Sequence, residues 1–464
     1  MQFKYYCIIY YYIMGGGIIQ LTSLGTQDNY LVSNPQYSFF KAVYRRHTNF
    51  SIESVQQSFN QNPKIESTNL VSKLTNAGDL VHHIWLDVSL FNEGFSLNDP
   101  GEHYAAWTNS TGYALIKEYE ILIGGKRIDI HYSKWLDIYN ELTDHNDSEW
   151  ITVNKHAAKE LYLVTSSDLP NLRLHIPLKF WFCRKVSLAL PLIALQYHDV
   201  EIRVLTRNIN TLINTNADTT GATPVSKPPE MNLWVDFIYL DNDERKRFAE
   251  NTHEYLIEQV QHIEVDSVQS IERINFNFPV KEIIWTLQNN TVRQEKEFKN
   301  GVTNIDTASN KSTELNNTND YFCYQTTNTN IEELYGGVQN EAFSTFKLLI
   351  NGNDRFSERK ASYFRLCQPI QAGHNLPSKH IYMYSFALKP GEYQPSGTCN
   401  FSRMNDVRMQ FTGDISNSTL NVYAVNYNVL RIKSGMGGLA FTSNPKSVKK
   451  KVQTQKRNGR ERRK

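Results

Sequence analysis

The chain has 464 residues, which is enough for two domains of about 200 residues each. A hydrophobic fraction of 40%, with 26 Tyr and 23 Phe, excludes a disordered chain. Its five cysteines lie far apart, which excludes a disulfide framework and a cysteine zinc site and fits folding in a reducing compartment. Aromatic and β-branched residues are common and long helical runs are scarce, so the composition favours strands.

The N-terminus carries an apolar, aromatic segment at residues 7–13 that is too short to span a bilayer. It resembles a signal-peptide core, but Met14-Gly15-Gly16-Gly17 follows in place of a small-residue cleavage site. We therefore expect Met14 to be the functional start and residues 1–13 to be an upstream extension. Residues 15–34 predict an extended arm, so residues 1–38 are assigned to an N-terminal extension and arm.

Strand signals begin near Phe39. The clearest predicted strand is 172–182, in which apolar and other residues alternate strictly. Pro177 lies within it and cannot donate to a neighbouring strand, which indicates an edge strand or a bulge. The segments 200–204 and 407–411 alternate in the same way, so each predicts a strand with one face in a core.

Two short helices are predicted in loops of this β scaffold. Ser133 is a suitable N-cap for a helix that carries Trp135, Tyr139 and Leu142 on one face. Asp241 and Glu244 resemble a capping box at the start of a second helix over 244–250.

Two Asn/Thr/Ser-rich stretches divide the chain. Residues 207–230 end in Lys227-Pro228-Pro229 and predict a linker, placed at 216–231. Residues 289–334 are polar and predict a long surface loop, of a length that is usually functional or mobile.

An internal repeat is the most informative pattern in the sequence. Four short segments recur in the same order, with offsets of about 200 to 230 residues that increase where the polar loop is inserted. The pairs are 52–56 with 257–261, 84–85 with 284–285, 121–125 with 348–352, and 200–204 with 407–411. The Gly124-Gly125 and Asn351-Gly352 pairs are typical of hairpin turns.

The repeat predicts an all-β protein of two consecutive eight-stranded antiparallel jelly rolls (a double jelly roll) with short loop helices. The first roll is assigned to 39–215 and the second to 232–442.

Residues 443–464 form a basic C-terminal tail. Segment 446–464 holds ten Lys or Arg against Glu461 alone, a net charge of +9, so the rest of the chain carries −7 of the total +2. The tail is either a solvated extension or a tether to nucleic acid or an anionic membrane.

No motif in the sequence is typical of a catalytic or ligand-binding site. His253-Glu254 lacks the second histidine of a zincin, and His82-His83 would point to opposite faces of a strand. Helix capping explains Asp241, Asp243 and Glu244 better than cation binding does. Gly435-Met436-Gly437-Gly438 lacks a following helix, which favours a flexible exit loop over a phosphate cradle. We therefore predict no catalytic residue, no metal, no cofactor and no enzyme activity.

An aromatic stripe at Tyr382, Tyr384, Phe386 and Leu388 leaves two interpretations open. It is either core packing or an aromatic face at an interface or sugar platform. Accordingly there are two hypotheses for the whole chain. The first is a self-assembling structural subunit, which the duplication favours. The second is a carbohydrate-binding or hydrolytic β-sandwich, which would need paired carboxylates in a groove.

Long segments of the chain resemble the major capsid proteins of nucleocytoplasmic large DNA viruses, over nearly all of residues 14–442. The segments are MGGGIIQLTS (14–23), NPQYSFFKAVYRRHTNFSIESVQQSF (34–59), WLDIYNE (135–141), FWFCRKVSLALPLIALQYHDVEIRV (180–204), YLDNDERKRFAENTHEYLIEQ (239–259), NGNDRFSERKASYF (351–364), YSFALKPGEYQPSGTCNFSR (384–403) and VYAVNYNVLRIKSGMGGL (422–439). Residues 1–13 and 446–464 extend beyond the usual family ends.

The resemblance implies a structural protein of the virion, assembled in the host cytoplasm. It implies a pseudo-hexagonal homotrimer that tiles an icosahedral capsid over an internal membrane, with neighbouring capsomers and minor capsid proteins as partners. The basic tail would then face the inner membrane or nucleic acid. Surface glycans are a further expectation at Asn-x-Ser/Thr sites, among them Asn109, Asn289, Asn310, Asn316 and Asn417.

Overall fold

The computed structural model describes residues 34, 40, 46–98, 105–143, 153, 169–215, 222–290, 305–306, 311–312, 321–322, 324 and 341–442. The predictions for residues 1–33 and for the tail at 443–464 lie outside these residues. The chain divides into the units Met1–Asn49 and Phe50–Lys464, and both rolls lie in the second unit.

The first roll is a sandwich of two four-stranded antiparallel sheets. Its strands are β1 (Phe50–Gln57), β2 (Asn69–Lys73), β3 (Leu80–Leu90), β4 (Ile116–Ile123), β5 (Lys126–Tyr132), β6 (Leu172–Pro177), β7 (Val200–Thr206) and β8 (Glu230–Leu240). One sheet has the order β1-β8-β3-β6 and the other has the order β2-β7-β4-β5. Short strands flank them at Ser96–Leu97, Ala105–Trp107, Leu190–Pro191, Ile213–Thr215 and Ala222–Thr223.

The second roll repeats this arrangement. Its strands are β9 (His253–Val265), β10 (Ile271–Arg273), β11 (Pro279–Asn289), β12 (Thr345–Ile350), β13 (Asn353–Asp354), β14 (Tyr382–Ser385), β15 (Val407–Thr412) and β16 (Ser418–Lys433). The sheet orders are β9-β16-β11-β14 and β10-β15-β12-β13, so each strand of the first roll corresponds to the strand eight numbers later. Short strands lie at Ile305–Asp306, Lys311–Ser312, Arg359–Lys360, Cys399–Asn400 and Met436–Leu439.

The shared strand order confirms the predicted double jelly roll, and all four repeated segments lie in corresponding strands. In the sheets that contain β7 and β15 the correspondence holds residue by residue. Val200 pairs with Ile123 and Val407 pairs with Ile350, at the ends of the two predicted hairpins. Both hairpin turns have positive φ at their two central residues, 58° and 75° at Gly124-Gly125 and 51° and 85° at Asn351-Gly352. This conformation explains the glycine and asparagine at these positions.

In the other two sheets the repeated segments lie in corresponding strands but are out of phase. Trp285 is 1% exposed in the core of the second roll, whereas Trp85 is partly exposed on the outer face of its sheet. Ile257 is fully buried, whereas Ile52 is 51% exposed. Since successive strand residues point to opposite faces, a shift of one residue reverses which side chains enter the core.

Helices lie in the connections between strands. They are α1 (Thr111–Leu115), α2 (Ser133–Thr143), α3 (Asn242–Glu250), α4 (Gln368–Ala372), a π-helix at Tyr363–Cys367, and 3-10 turns at Trp181–Cys183, Val186–Leu188, Leu192–Ala194, Ile209–Leu212 and Phe401–Arg403. The predicted helix at Ser133 is confirmed, but the Ser133 hydroxyl donates to the carbonyl of Tyr113. The second predicted helix starts at Asn242, where Asp241 accepts from the Asn242 amide.

The predicted strand over 172–182 is wrong in its second half. The strand ends at Pro177, and Trp181–Cys183 form a 3-10 turn in which Phe180, Trp181 and Phe182 are all buried. The alternation continued past the strand because a turn in a core also buries consecutive aromatic residues. Pro177 does lie in an edge strand, β6, as predicted.

The boundary between the rolls differs from the predicted linker at 216–231. Strand β8 begins at Glu230 and lies between β1 and β3, so residues 232–240 belong to the first roll rather than the second. Lys227-Pro228-Pro229 therefore precedes the last strand of the first roll. Helix α3 then leads to β9.

The predicted surface loop at 289–334 is partly buried. Its described residues Tyr321, Phe322 and Tyr324 are at most 4% exposed and join the hydrophobic cluster of the first roll. That cluster also contains Tyr423, Val425, Leu430 and Ile432 from β16, while the second roll has its own core around Trp285 and Phe346. The first roll and one face of the second therefore share a continuous apolar cluster.

Candidate functional site at the junction of the two rolls

The junction is formed where the first roll covers the outer face of the β9-β16-β11-β14 sheet. Trp135 of α2 lies 5.4 Å from Tyr423, and Tyr132 lies 4.5 Å from His262, measured between ring centroids. Asp129 of β5 accepts from the backbone amide of Val260 at 3.2 Å. Side chains of the first roll therefore fix both a strand edge and a sheet face of the second.

A buried group of charges crosses this junction. Glu258 of β9 binds Arg184, which follows β6, and also binds Lys281 of β11, with 2.6 Å between Nζ and Oε1. Glu258 and Lys281 are 7% and 3% exposed. Arg184 also stacks over Tyr139 of α2, 4.9 Å from the ring centroid. Removing one member would leave an uncompensated buried charge, which makes the contact specific for correctly paired rolls.

Glu282 and His374 form a second buried pair, with 2.8 Å between Oε2 and Nε2. Burial by itself raises the pKa of Glu282, but His374, Lys281 and Arg184 outweigh this effect and lower the pKa below its ordinary value. Glu282 is therefore held as a carboxylate.

A third set connects α2 with the segment before β14. Asp137 binds Lys379 at 2.7 Å and accepts from the Tyr324 hydroxyl at 2.9 Å. Glu141 accepts from the hydroxyl of Ser378 at 2.8 Å. Tyr321 of the long loop donates to the carbonyl of Thr211 in the first roll at 3.0 Å. Tyr321 and Tyr324 of the inserted loop therefore form hydrogen bonds with residues of the first roll and help to join the two rolls.

A cavity of about 480 Å³ lies within the junction. Its lining includes Trp85, Trp135 and Trp181 together with the carboxylates of Glu258 and Glu282. A glycoside hydrolase would need one carboxyl with a raised pKa to act as the acid. Glu282 has a lowered pKa and Glu258 is bound by two cations, so these carboxylates stabilise the junction and do not fit that chemistry.

His82 and His83 do not point to opposite faces as predicted. The register between β3 and β8 shifts at this position, and the two imidazole rings lie 3.8 Å apart. His82 bonds the carbonyl of Phe182 at 2.7 Å. The described residues contain no group of three or more His, Cys, Asp or Glu side chains that could hold a metal ion.

The other candidate segments have structural roles. His253 bonds the carbonyl of Phe248, and Glu254 pairs with Arg431. The glycine segment at 435–438 is not a flexible exit loop: Met436–Leu439 pairs with β16, and Gly435 accepts from the Tyr197 amide at 3.0 Å. Added side chains at Gly435 and Gly437 would meet Tyr197 and Leu195 at 2.5 and 2.7 Å, so the first roll packs closely here.

The aromatic stripe divides between the two interpretations. Tyr382 is fully buried, and Tyr384 and Phe386 pack against the second core. Leu388 is 78% exposed.

Cys183, Cys367 and Cys399 are free thiols, and burial raises the pKa of Cys183 to about 12, which keeps it protonated.

Comparison with known proteins identifies the family. The family model described as "Major capsid protein N-terminus" matches residues 38–241, and the model described as "Large eukaryotic DNA virus major capsid protein" matches residues 244–438. The major capsid protein of Pyramimonas orientalis virus is 40% identical, and the match covers 93% of this chain and all of that protein. This chain belongs to the family of large eukaryotic DNA virus major capsid proteins.

Further relatives agree with this assignment. The major capsid protein of Paramecium bursaria Chlorella virus 1 is 36% identical over 93% of this chain and all of that protein. A solved structure described as the PBCV-1 virus capsid is 33% identical, covers 88% of this chain and all of that chain, and has a TM-score of 0.68. The Faustovirus major capsid protein, 13% identical with a TM-score of 0.62, shares the fold over 88% of this chain and 94% of that chain.

The protein is therefore a structural capsid protein of the virion, and its family is not an enzyme family. No helix of the described residues is both long and apolar enough to cross a bilayer. Sequence patterns did not reveal the junction residues, because Arg184, Glu258 and Lys379 stand far apart in the chain. The predicted helix face of Trp135, Tyr139 and Leu142 on α2 does lie at the junction, and all three residues line its cavity.

Proposed function

We propose that three copies of this chain form a pseudo-hexagonal homotrimer, the capsomer that tiles the faces of an icosahedral capsid of a large double-stranded DNA virus. Neighbouring capsomers and minor capsid proteins would be its partners, and assembly would occur in the host cytoplasm. The observation that carries the proposal is that two rolls with one strand order lie side by side in each chain. Three such chains present six similar lobes, which suits hexagonal packing.

The mass of the purified protein in its native state tests the trimer. We expect a particle of three times 53.7 kDa, the mass of one chain, with a six-lobed outline in electron micrographs. A stable monomer at micromolar concentration would contradict the proposal. A monomer that binds glycans would support the carbohydrate-binding hypothesis instead.

We infer that the basic tail at 446–464 attaches the capsomer to the inner membrane or to nucleic acid, because ten of its 19 residues are Lys or Arg. The test compares the full chain with a chain ending at residue 445, using anionic vesicles and duplex DNA at increasing salt. We expect binding that weakens with salt in the full chain only. Equal binding by both chains would dismiss the tether.

Surface glycans are proposed only where a site is exposed. Asn417 is exposed in the turn before β16, whereas Asn109 is 4% exposed and is inaccessible in the folded chain. Intact mass of protein from virions measures any modification, and peptide mapping should find it at Asn417 and not at Asn109.

A further inference from the structure

The sheet that faces outward in the first roll lacks the cover that its counterpart has in the second. In β9 the outward residues Glu258 and Val260 are 7% and 5% exposed, because the first roll covers them. In β1, the corresponding strand, residues 50–54 are all exposed, and Phe50 and Ile52 are 54% and 51% exposed. Trp234 of β8 is only partly buried on the same face.

The alternation of side chains along β1 and β8 places these residues on one face of the sheet. Val55 pairs with Val235, which is fully buried in the core, so the alternate residues Ser54, Ile52 and Trp234 face outward. We name the outward side of β1 and β8 the open face; it carries Phe50, Ile52 and Trp234. Large apolar side chains left exposed on one face are typical of an interaction surface.

The elements that cover the second roll also have counterparts. In the first roll they are α2, which lies between β5 and β6, and the segment that follows β6 and carries Arg184. In the second roll the corresponding elements are the helical segment 363–372, between β13 and β14, and the residues that follow β14. We name them the docking edge. It exposes Ile370 by 65% and Leu388 by 78%.

We propose that the docking edge of one subunit covers the open face of the next, so that the contact between subunits repeats the contact between the two rolls of one chain. This inference rests on the proposed trimer and names the surfaces that build it. The interface is heterologous, because its two sides are different surfaces of the same chain. Such an interface closes into a ring when three subunits place six rolls around one axis.

The charges of the two surfaces are complementary. Arg359 and Lys360 are exposed just before the docking edge, whereas Lys389, which follows Leu388, is paired with Glu392 at 2.9 Å. The open face carries the carboxylate of Asp236, which pairs with Ser54 and is partly exposed. A basic edge meeting an acidic sheet would favour the head-to-tail contact over two like surfaces meeting.

The test uses two variants of the full chain and their mixture. Ile52→Glu places a carboxylate on the open face, and Ile370→Glu places one on the docking edge. Each should lower the affinity between subunits by about 100-fold or more, because a buried carboxylate without a partner is costly. Each variant alone should then have the mass of a monomer. Both residues are more than half exposed, so both variants should keep the wild-type circular dichroism and melting temperature.

A mixture of the two variants tests whether the docking edge binds the open face rather than another surface. Ile52→Glu keeps an intact docking edge and Ile370→Glu keeps an intact open face, so the mixture should form one-to-one dimers. Ile271→Glu is the matched control, because Ile271 is 48% exposed and lies in β10, away from both surfaces. It should remain trimeric.

The other outcomes are decisive as well. A wild-type chain that is not a trimer would overturn the proposed capsomer. A wild-type trimer with both variants still trimeric would overturn only the pairing of these surfaces. Loss of the trimer in Ile52→Glu but not in Ile370→Glu, no dimer in the mixture, or loss in Ile271→Glu would also reject it.

Discussion

The two rolls share one strand order but differ in the lengths of corresponding connections. In the first roll the chain makes a long excursion between β7 and β8, over residues 207–229, whereas β15 and β16 are joined by only five residues, 413–417. In the second roll the long excursion lies between β11 and β12, over residues 290–344. The strand order maintains the sandwich, and the connections give each copy its own contacts.

The rolls also differ in where they place polar residues. The outer sheet face of the second roll holds Glu258, Lys281 and Glu282 in buried pairs, while the outer face of the first presents Ile52 and Trp234 to solvent. The two rolls have therefore diverged on their corresponding outer sheet faces. In the second roll this face is covered by the first roll of the same chain, and in the first roll the side formed by β1 and β8 is exposed.

The largest effect is expected from the two tryptophans that the repeat aligns. Trp285→Ala should lower the free energy of unfolding by about 3 to 5 kcal/mol, because Trp285 is 1% exposed in the second core. Trp85→Ala is the matched control and should cost about 1 kcal/mol, since Trp85 lies partly exposed outside the first core. Urea unfolding measures both. Equal losses would mean that the two tryptophans occupy equivalent positions after all.

The buried pair of Lys379 and Asp137 tests how firmly the rolls are joined. Lys379→Met should lower the free energy of unfolding by about 3 kcal/mol, because Asp137 is left as a buried charge without its cation. The double variant Lys379→Met/Asp137→Leu should recover most of that loss. If the double variant were as unstable as Lys379→Met, the loss would not come from the unpaired charge of Asp137.

The contribution of Glu282 to the free energy of unfolding should depend on pH. Glu282→Gln should cost about 1.5 to 3 kcal/mol at pH 7, since it weakens a charged hydrogen bond to His374. The folded-state pKa lies below the ordinary value of 4.5, so this stabilisation is complete above that pH and is lost as the pH falls through the folded-state pKa.

Urea unfolding between pH 7 and pH 3 checks the sign. The difference between wild type and Glu282→Gln should stay constant down to about pH 5 and then shrink. Glu254→Gln is the control: Glu254 pairs with Arg431 at the surface with 54% of its side chain exposed, so its loss should cost at most about 0.5 kcal/mol. A difference that grows on acidification would contradict the lowered pKa.

The smallest effect distinguishes the two corresponding hairpins. Gly124→Ala should cost about 2 kcal/mol, because φ is +58° and an added Cβ would lie 2.7 Å from the His198 ring. Gly352→Ala should cost about 1 kcal/mol, because its φ of +85° is equally unfavourable but its surroundings are open. Thermal unfolding measures the difference, and a larger loss at Gly352 would contradict the packing at His198.

The sequence predicted the two rolls because strands with one buried face carry their own signal. Val200 to Val204 and Val407 to Phe411 alternate regularly, and their hairpins need residues that adopt positive φ. The same signal failed at Phe180–Phe182, where a core turn imitates alternation. It also misplaced the boundary, because Lys227-Pro228-Pro229 marks a turn inside a roll as readily as a linker between rolls.

The junction could not be predicted in the same way. Its contacts join residues that are more than 70 positions apart, such as Arg184 with Glu258 and Asp137 with Lys379, and neither partner has a local pattern. The buried part of the long loop was hidden for a related reason. Tyr321, Phe322 and Tyr324 are three aromatic residues within a polar stretch, and only the distant surface of the first roll gives them a place to bury.

The apolar cluster of the first roll includes Leu430 and Ile432, near the end of the last long strand. During synthesis, the first roll therefore cannot complete its hydrophobic cluster when its own strands have emerged, and it must wait until almost the entire chain has left the ribosome. A chain that stops early would expose the apolar surface that β16 normally covers. Only full-length chains would then present a finished subunit, so the position of β16 in the sequence makes completion of the chain a condition for assembly.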